Sequence, residues 1–337
     1  MRIEVRAERL TLLSLPKTSL KYVMHPVVKV CPLSFPVDAQ NLLRADGSFF
    51  SLTENSIEIS IITSAPEDFP ESGSSTCPGI RYLDGAFRAL QIDSTGSSTI
   101  ISDITDYLFV KETRLEQVAS TLCGFGYEIQ MFDTAPSQGE QGEAETGDRP
   151  MGSYDTPESV LLDFVRGVPK TVDDRDLRLV GLDRDILVQA PLLLIRFIFY
   201  PKDMDADRFY SYTFSSDGVS LLAQEEFLTR FPAHLLHQSQ DHEALVRVEV
   251  DLRSLDRFGI VWGMSRLIQM ENLALFYLST VQTANILVLQ HERTRVEELL
   301  DTRILKMNDT ATGAVAREDQ GGRAFGHSDL ENEEDSY

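Results

Sequence analysis

The sequence predicts an α+β protein built of repeated split βαβ layers, and three observations lead there. A strand–helix–strand–strand–helix pattern recurs more than once in each half of the chain, although its residues are only weakly alike. Pairs of β-rich runs flank short turn signals at Glu54-Asn55-Ser56 and Ser216-Asp217-Gly218. The 337 residues, 42% of them apolar, are enough for about two compact halves with buried cores. Elements in that order put helices on one face of an antiparallel sheet, the ferredoxin-like arrangement. Four such units fit the length.

In chain order, Arg9 to Leu15 reads as a strand that enters a loop at Pro16. Phe49–Thr53 and Ile57–Thr63 read as a hairpin. Gly85 to Ile92 is expected to form a short helix. Thr99–Ser102 and Tyr107–Lys111 are expected as strands. Leu115, Val118, Ala119 and Leu122 share one face at helical spacing, so Thr113 to Cys123 is a helix, stopped by Gly124. In the second half, Leu177–Leu182 is a strand. Asp183 to Asp185 offers caps for an apolar helix reaching Phe199. Phe209–Phe214, Val219–Gln224 and Val246–Leu252 are strands. Gly259–Glu271 is a helix, Leu273–Ser279 and Ile286–Leu289 are strands, and Glu292–Leu305 is a last amphipathic helix.

The chain carries 53 acids against 31 bases, net −22. That balance excludes a nucleic-acid or anionic-membrane surface, which needs clustered Lys and Arg. Half of the excess is local: Thr134–Glu158 and Glu318–Tyr337 together carry −11. Both stretches are poor in large apolar side chains and are expected to be disordered. The organisation expected is therefore units at 1–75 and 76–133, an acidic linker 134–158, units at 159–240 and 241–306, and an acidic tail 307–337. Cys31, Cys77 and Cys123 have no C-x-x-C spacing, which suits a reducing compartment. Cys31 and Cys123 sit in apolar contexts and read as core residues. No secretory signal and no 20-residue apolar span is visible, so a cytoplasmic protein without membrane insertion is expected.

Catalytic signatures are missing. There is no phosphate-binding glycine loop, no nucleophile elbow and no H-E-x-x-H. His234 and His237, with His242 or Asp241, have a metal-compatible spacing, but polar residues near a helix end are the stronger reading. Asp173-Asp174-Arg175-Asp176 reads as a solvated loop before a strand, and Trp262 as a core residue. A non-catalytic ligand-binding or interaction module without cofactor is expected.

Several segments stand in one order: Phe49-Phe50-Ser51-Leu52-Thr53-Glu54, then Asp106 to Glu112, then Phe214-Ser215 with Gly218 and Ser220-Leu221, and Arg230-Phe231-Pro232 with Leu235-Leu236, followed by Gly259-Ile260-Val261 and Tyr277-Leu278-Ser279-Thr280. In that order and spacing they resemble the CASTOR family, the cytosolic arginine sensors of the TOR pathway, built from ACT domains. No single motif is specific, and it is their joint order that carries the likeness, from the N-terminus to about Leu300. The acidic linker and tail look like additions. The resemblance implies four tandem ACT domains, an amino-acid ligand held between the second and fourth, a homodimer, and a GATOR-type regulator of TOR signalling as protein partner.

An ACT ligand sits where backbone N–H groups at a strand-to-helix loop meet its carboxylate. The loops implied are Asp84-Gly85-Ala86 and Ser254 to Ile260, and Gly85 and Gly259 allow close approach of the backbone. Gly259 serves equally well as a tight turn. The ligand-binding residues expected by alignment are Gly85, Ala86, Ser254, Arg257, Gly259, Ile260, Thr280, Val281, Thr283 and Ala284. Specificity departs from the family. Its two acidic positions fall on Arg257 and Ala284, and its neighbouring aromatic positions on Val281 and Thr283. A guanidinium needs an acidic partner, so arginine is expected to bind weakly or not at all. Arg257 either pairs with an anionic ligand such as aspartate or glutamate, or turns to solvent or to Asp256. Two other readings stay open: an ACT-type regulator of an amino-acid biosynthetic enzyme, resembling the regulatory region of aspartate kinases, and a ligand-free ACT scaffold.

Overall fold

The computed structural model of the chain describes residues 2–30, 49–93, 106–131, 170–182, 191–200, 208–215, 218–236, 243–252 and 273–298. They form a mixed α+β structure with two sheets.

β2 (Thr11–Pro16) leads through a 3-10 turn into α1 (Met24–Val30), where Pro26 sits in the first turn and interrupts no ladder bond. Next come β3 (Phe50–Glu54), β4 (Glu58–Thr63) and the short β5 (Arg81–Tyr82). They lie antiparallel in the order β5-β2-β4-β3. The second half repeats this order. β9 (Lys170–Leu182), α3 (Pro191–Phe199), β10 (Tyr210–Ser215), β11 (Gly218–Gln224), α4 (Glu225–Leu228) and β12 (Leu245–Asp251) give β12-β9-β11-β10. The two sets join edge to edge, β3 on β10, from Phe50↔Phe214 to Glu54↔Tyr210. β14 (Thr283–Leu289) and β13 (Leu275–Ser279) extend the sheet beyond β12 to ten strands.

The main core lies on one face of the central strands. Phe50, Leu52, Ile59, Ile61, Tyr210, Tyr212 and Leu221 meet Val23 and Val27 at α1, and Leu194, Phe197 and Ile198 of α3. Each such side chain, fully buried, contributes about 1.5–3 kcal/mol. Because a strand alternates, Phe49, Ser51, Thr53 and Asn55 face the other way. There Ser51 pairs with Thr213 at 2.9 Å and Thr53 with Ser211 at 2.8 Å through their hydroxyls.

The second sheet has the order β7-β6-β1-β8, from β1 (Arg2–Val5), β6 (Phe87–Asp93), β7 (Asp106–Lys111) and β8 (Glu128–Met131). α2 (Leu115–Gly124) covers one face with Leu115, Val118 and Leu122. The other face places Phe87, Ala89, Tyr107 and Phe109 against Leu10, Leu12, Phe49 and Ile62.

Four expectations change. Gly85–Ile92 is no helix: from Phe87 it is β6, pinned between β1 and β7 by its pairing to both. The acidic run at 173–176 is no loop, since β9 begins at Lys170 and Asp173 is buried. Cys123 is exposed, because the inward stripe of α2 passes through Leu122 and leaves position 123 outside; Cys77, by contrast, is buried. The stop after α2 is Gly126 at φ +87, whose N–H donates to Cys123 while Tyr127 N–H donates to Leu122. The strand expected at Thr99–Ser102, the helix at Gly259–Glu271 with Trp262, the acidic linker and the acidic tail lie outside the described residues. So do 183–190 and the D-G turn residues Ser216 and Asp217. Of the last helix, 293–298 is described and helical.

Candidate functional site

The turn between β3 and β4 is built by Asn55. Its side-chain oxygen accepts from the N–H groups of Ile57 and Glu58, both at 2.8 Å. That is an Asx-turn, which Asn favours because its short amide reaches its own backbone. The same side chain then reaches the distant β13–β14 turn. Asn55 Nδ2 donates to Thr283 Oγ1 at 2.8 Å and to Thr280 Oγ1 at 3.1 Å. Thr280 N–H donates to the Thr283 carbonyl at 2.8 Å, which holds that second turn closed.

Every polar member of the β3–β4 turn has a partner elsewhere. Glu58, 1% exposed, accepts from Gln282 N–H at 2.6 Å, from Gln282 Nε2 at 2.7 Å and from the Ser14 hydroxyl. Ser56 donates its hydroxyl to Glu249 on β12. Glu54 accepts from Arg208 Nε at 3.1 Å and Nη2 at 2.8 Å, with Lys17 at 3.4 Å. Arg208 is 2% exposed, donates also to the carbonyls of Phe197 and Ile198 at the end of α3, and lies over the Tyr210 ring at 4.9 Å.

A charge chain continues along the β12 side. Asp173 accepts from Arg175 Nε and Nη2, both at 2.7 Å, and from Arg247 Nη2 at 2.9 Å. Arg247 Nη1 lies 2.7 Å from Glu249 Oε2, and its guanidinium stacks 4.3 Å from the Phe209 ring centre. Burial alone would raise the Asp173 carboxyl, but the hydrogen bond from Arg175 and the charges of Arg247 and Arg175 hold it below the usual range. Burial pushes Arg247 downward, against the pull of Glu249 and Asp173. A chain of buried charges is tolerated only when each member has partners of this quality.

The expected ligand residues separate into three groups. Thr280, Val281, Thr283 and Ala284 lie together at the β13–β14 turn; Thr280 and Thr283 bind Asn55, while Val281 and Ala284 are buried. Gly85 and Ala86 lie in the bend between β5 and β6, Gly85 at φ +89, with the Ala86 carbonyl accepting from Glu112 N–H at 2.9 Å. Among the described residues no hydrogen bond or ion pair joins that bend to the β13–β14 turn. Ser254, Arg257, Gly259 and Ile260 lie outside the described residues. Sequence reasoning missed Glu58, Arg208, Arg247, Glu249, Gln282 and Asn285. Among the described residues no group of three or more His, Cys, Asp or Glu is placed to hold a metal, and no helix is long and apolar enough to cross a membrane.

No known family model matches the chain. Similar solved structures are distant. A Vibrio cholerae protein of unknown function, described as a possible transport protein, matches 44% of this chain over 97% of its own length, at 11% identity and a TM-score of 0.30. Aspartate kinase from Synechocystis matches 90% of this chain at 9% identity and a TM-score of 0.31. The chain spans 55% of that kinase's length.

Proposed function

We propose that this chain is a non-catalytic regulator made of tandem ACT-type units, akin to the CASTOR sensors, whose two halves respond to a free amino acid. The observation that carries the reading is the polar contact between the β3–β4 turn of the first half and the β13–β14 turn of the second. It is a directional, largely buried joint, and its Thr280–Ala284 side is a segment where the CASTOR resemblance expects ligand, although its other side belongs to the first unit and not to the second. The strand order β5-β2-β4-β3, repeated as β12-β9-β11-β10, supports ACT-type units in both halves. A ligand at such a joint favours one arrangement of the halves, and a protein partner that prefers the other is released. The shift is bounded by the ligand's differential affinity for the two arrangements. A homodimer and a partner upstream of the TOR kinase belong to this reading, as does weak or absent arginine binding.

The test is a thermal-shift screen against the twenty amino acids at several millimolar. A ligand at 100 times its Kd stabilises by about 2.7 kcal/mol. A shift with one amino acid supports the sensor. No shift with any of them turns the reading to a ligand-free scaffold.

A further inference from the structure

Among the described residues the two sheets end at four strands, β5 and β13 on the larger, β7 and β8 on the smaller. β5 is two residues long and β8 four, and β13 shows no exposed large apolar side chain. β7 is different. It runs six residues in unbroken register against β6, with no proline, glycine or bulge, and its Leu108 is 43% exposed. Natural sheets guard such an edge or pair it. This chain already pairs one edge with another, β3 with β10.

The backbone decides which groups of β7 face outward. Phe87 exchanges both of its bonds with Leu10, and the Glu112 N–H donates to the Ala86 carbonyl at 2.9 Å. Phe87 and Lys111 are therefore a pair with no bond between them. By alternation the N–H and C=O groups of Phe109 and Lys111 point away from β6. The two ends of the strand also differ in charge. β7 starts at Asp106 and stops at Lys111, next to which Arg9 and Arg88 share the carboxylate of Glu112. A strand with one acidic and one basic end is complementary to itself when it runs antiparallel.

We propose that β7 is the seam of a homodimer, pairing antiparallel with β7 of a second copy about a two-fold axis at Phe109. Leu108 then lies beside Val110 of the partner subunit on the α2 face, and two four-stranded sheets become one of eight. The exposed Leu108 is covered, and the basic end of each β7 meets the acidic end of the other. This rests on the homodimer in the reading above and supplies its surface.

The test is sedimentation velocity on the full chain over a range of concentrations, with Lys111→Pro and Leu108→Lys. Lys111 already has φ −56, which a proline ring accepts, and its N–H makes no bond to β6. Lys111→Pro therefore alters the seam and spares the sheet. Leu108→Lys puts a charge on a side chain that is already exposed. Each is expected to weaken the dimer at least about tenfold, roughly 1.4 kcal/mol, with circular dichroism unchanged. Should Lys111→Pro disturb the fold, Leu108→Lys decides alone. A dimer that the folded variants leave at full strength overturns this surface, and the homodimer stands. A wild-type chain that stays monomeric at every concentration overturns both, while the thermal-shift screen still judges the sensor.

Discussion

The β3–β4 hairpin meets a different neighbour at each end, and the two contacts have opposite chemistry. At the open end Phe49 packs edge-on against Tyr107 at 5.2 Å and Phe109 at 5.6 Å, with Leu12 and Ile62 around them. At the turn end Asn55, Ser56 and Glu58 reach Thr280, Thr283, Gln282 and Glu249 through hydrogen bonds alone. The first contact is non-directional and survives small shifts. The second depends on donor–acceptor geometry, so a small displacement breaks several bonds together. One end of the hairpin is thus held to its neighbouring sheet by packing, and the other by hydrogen bonds that depend on one another's geometry.

The largest effect belongs to the apolar end. Phe49→Ala removes the ring at the centre of that cluster and should cost about 3–5 kcal/mol. Urea melts at low and high salt should show the same loss, and a salt-dependent loss would break the contrast. At the polar end Asn55→Ala removes four hydrogen bonds and should cost about 2–3 kcal/mol, against about 1 kcal/mol for one ordinary bond. A double-mutant cycle with Thr283→Val should give a coupling of about 0.5–3 kcal/mol, because the two side chains are in contact. Additive losses would show that Asn55 acts only within its own turn.

A smaller, graded effect comes from acid. Asp173 titrates lower in the folded chain than in the unfolded one, so its pairing stabilises fully above the unfolded value of about 3.9. That contribution is lost as pH falls through the lower folded value. Asp173→Asn should flatten the acid limb of a stability–pH curve while leaving Phe49→Ala additive to it. An unchanged acid limb would place the acid sensitivity elsewhere.

Much of the fold was legible because its signals are local. The β3–β4 hairpin, β7, α2, β10, β11 and β13 follow from alternation, turn residues and helical spacing. β6 was misread because its strand state depends on β1, more than 80 residues away, and no local pattern reports that pairing. The joint was less legible for a related reason. In Val246–Asp251 the valines alternate with Arg247, Glu249 and Asp251, a pattern that reads as one buried and one solvated face. Arg247 and Glu249 are nonetheless buried, because Asp173, Ser56 and Phe209 arrive from other strands. Of the joint, the Glu54-Asn55-Ser56 turn and the Thr280–Ala284 segment were visible, and their contact with each other was not.

The smallest expected effect tests how the halves differ in their bends. In the first half β5 and β6 belong to separate sheets, and the chain between them turns at Gly85, φ +89. In the second half β12 passes the corresponding place unbroken, with only a register shift between Leu245 and Arg247. A Cβ added at Gly85 would meet nothing within 4 Å, so Gly85→Ala carries only the cost of the backbone conformation. That is about 1–2 kcal/mol for a left-handed residue, or a few degrees in Tm. If Gly85 only bends the chain, amino-acid affinity should be unchanged at a temperature well below the melt. If affinity falls while Tm barely moves, the bend is itself a ligand loop, and the break that separates β5 from β6 in the first half has a use that the unbroken β12 of the second half does not share.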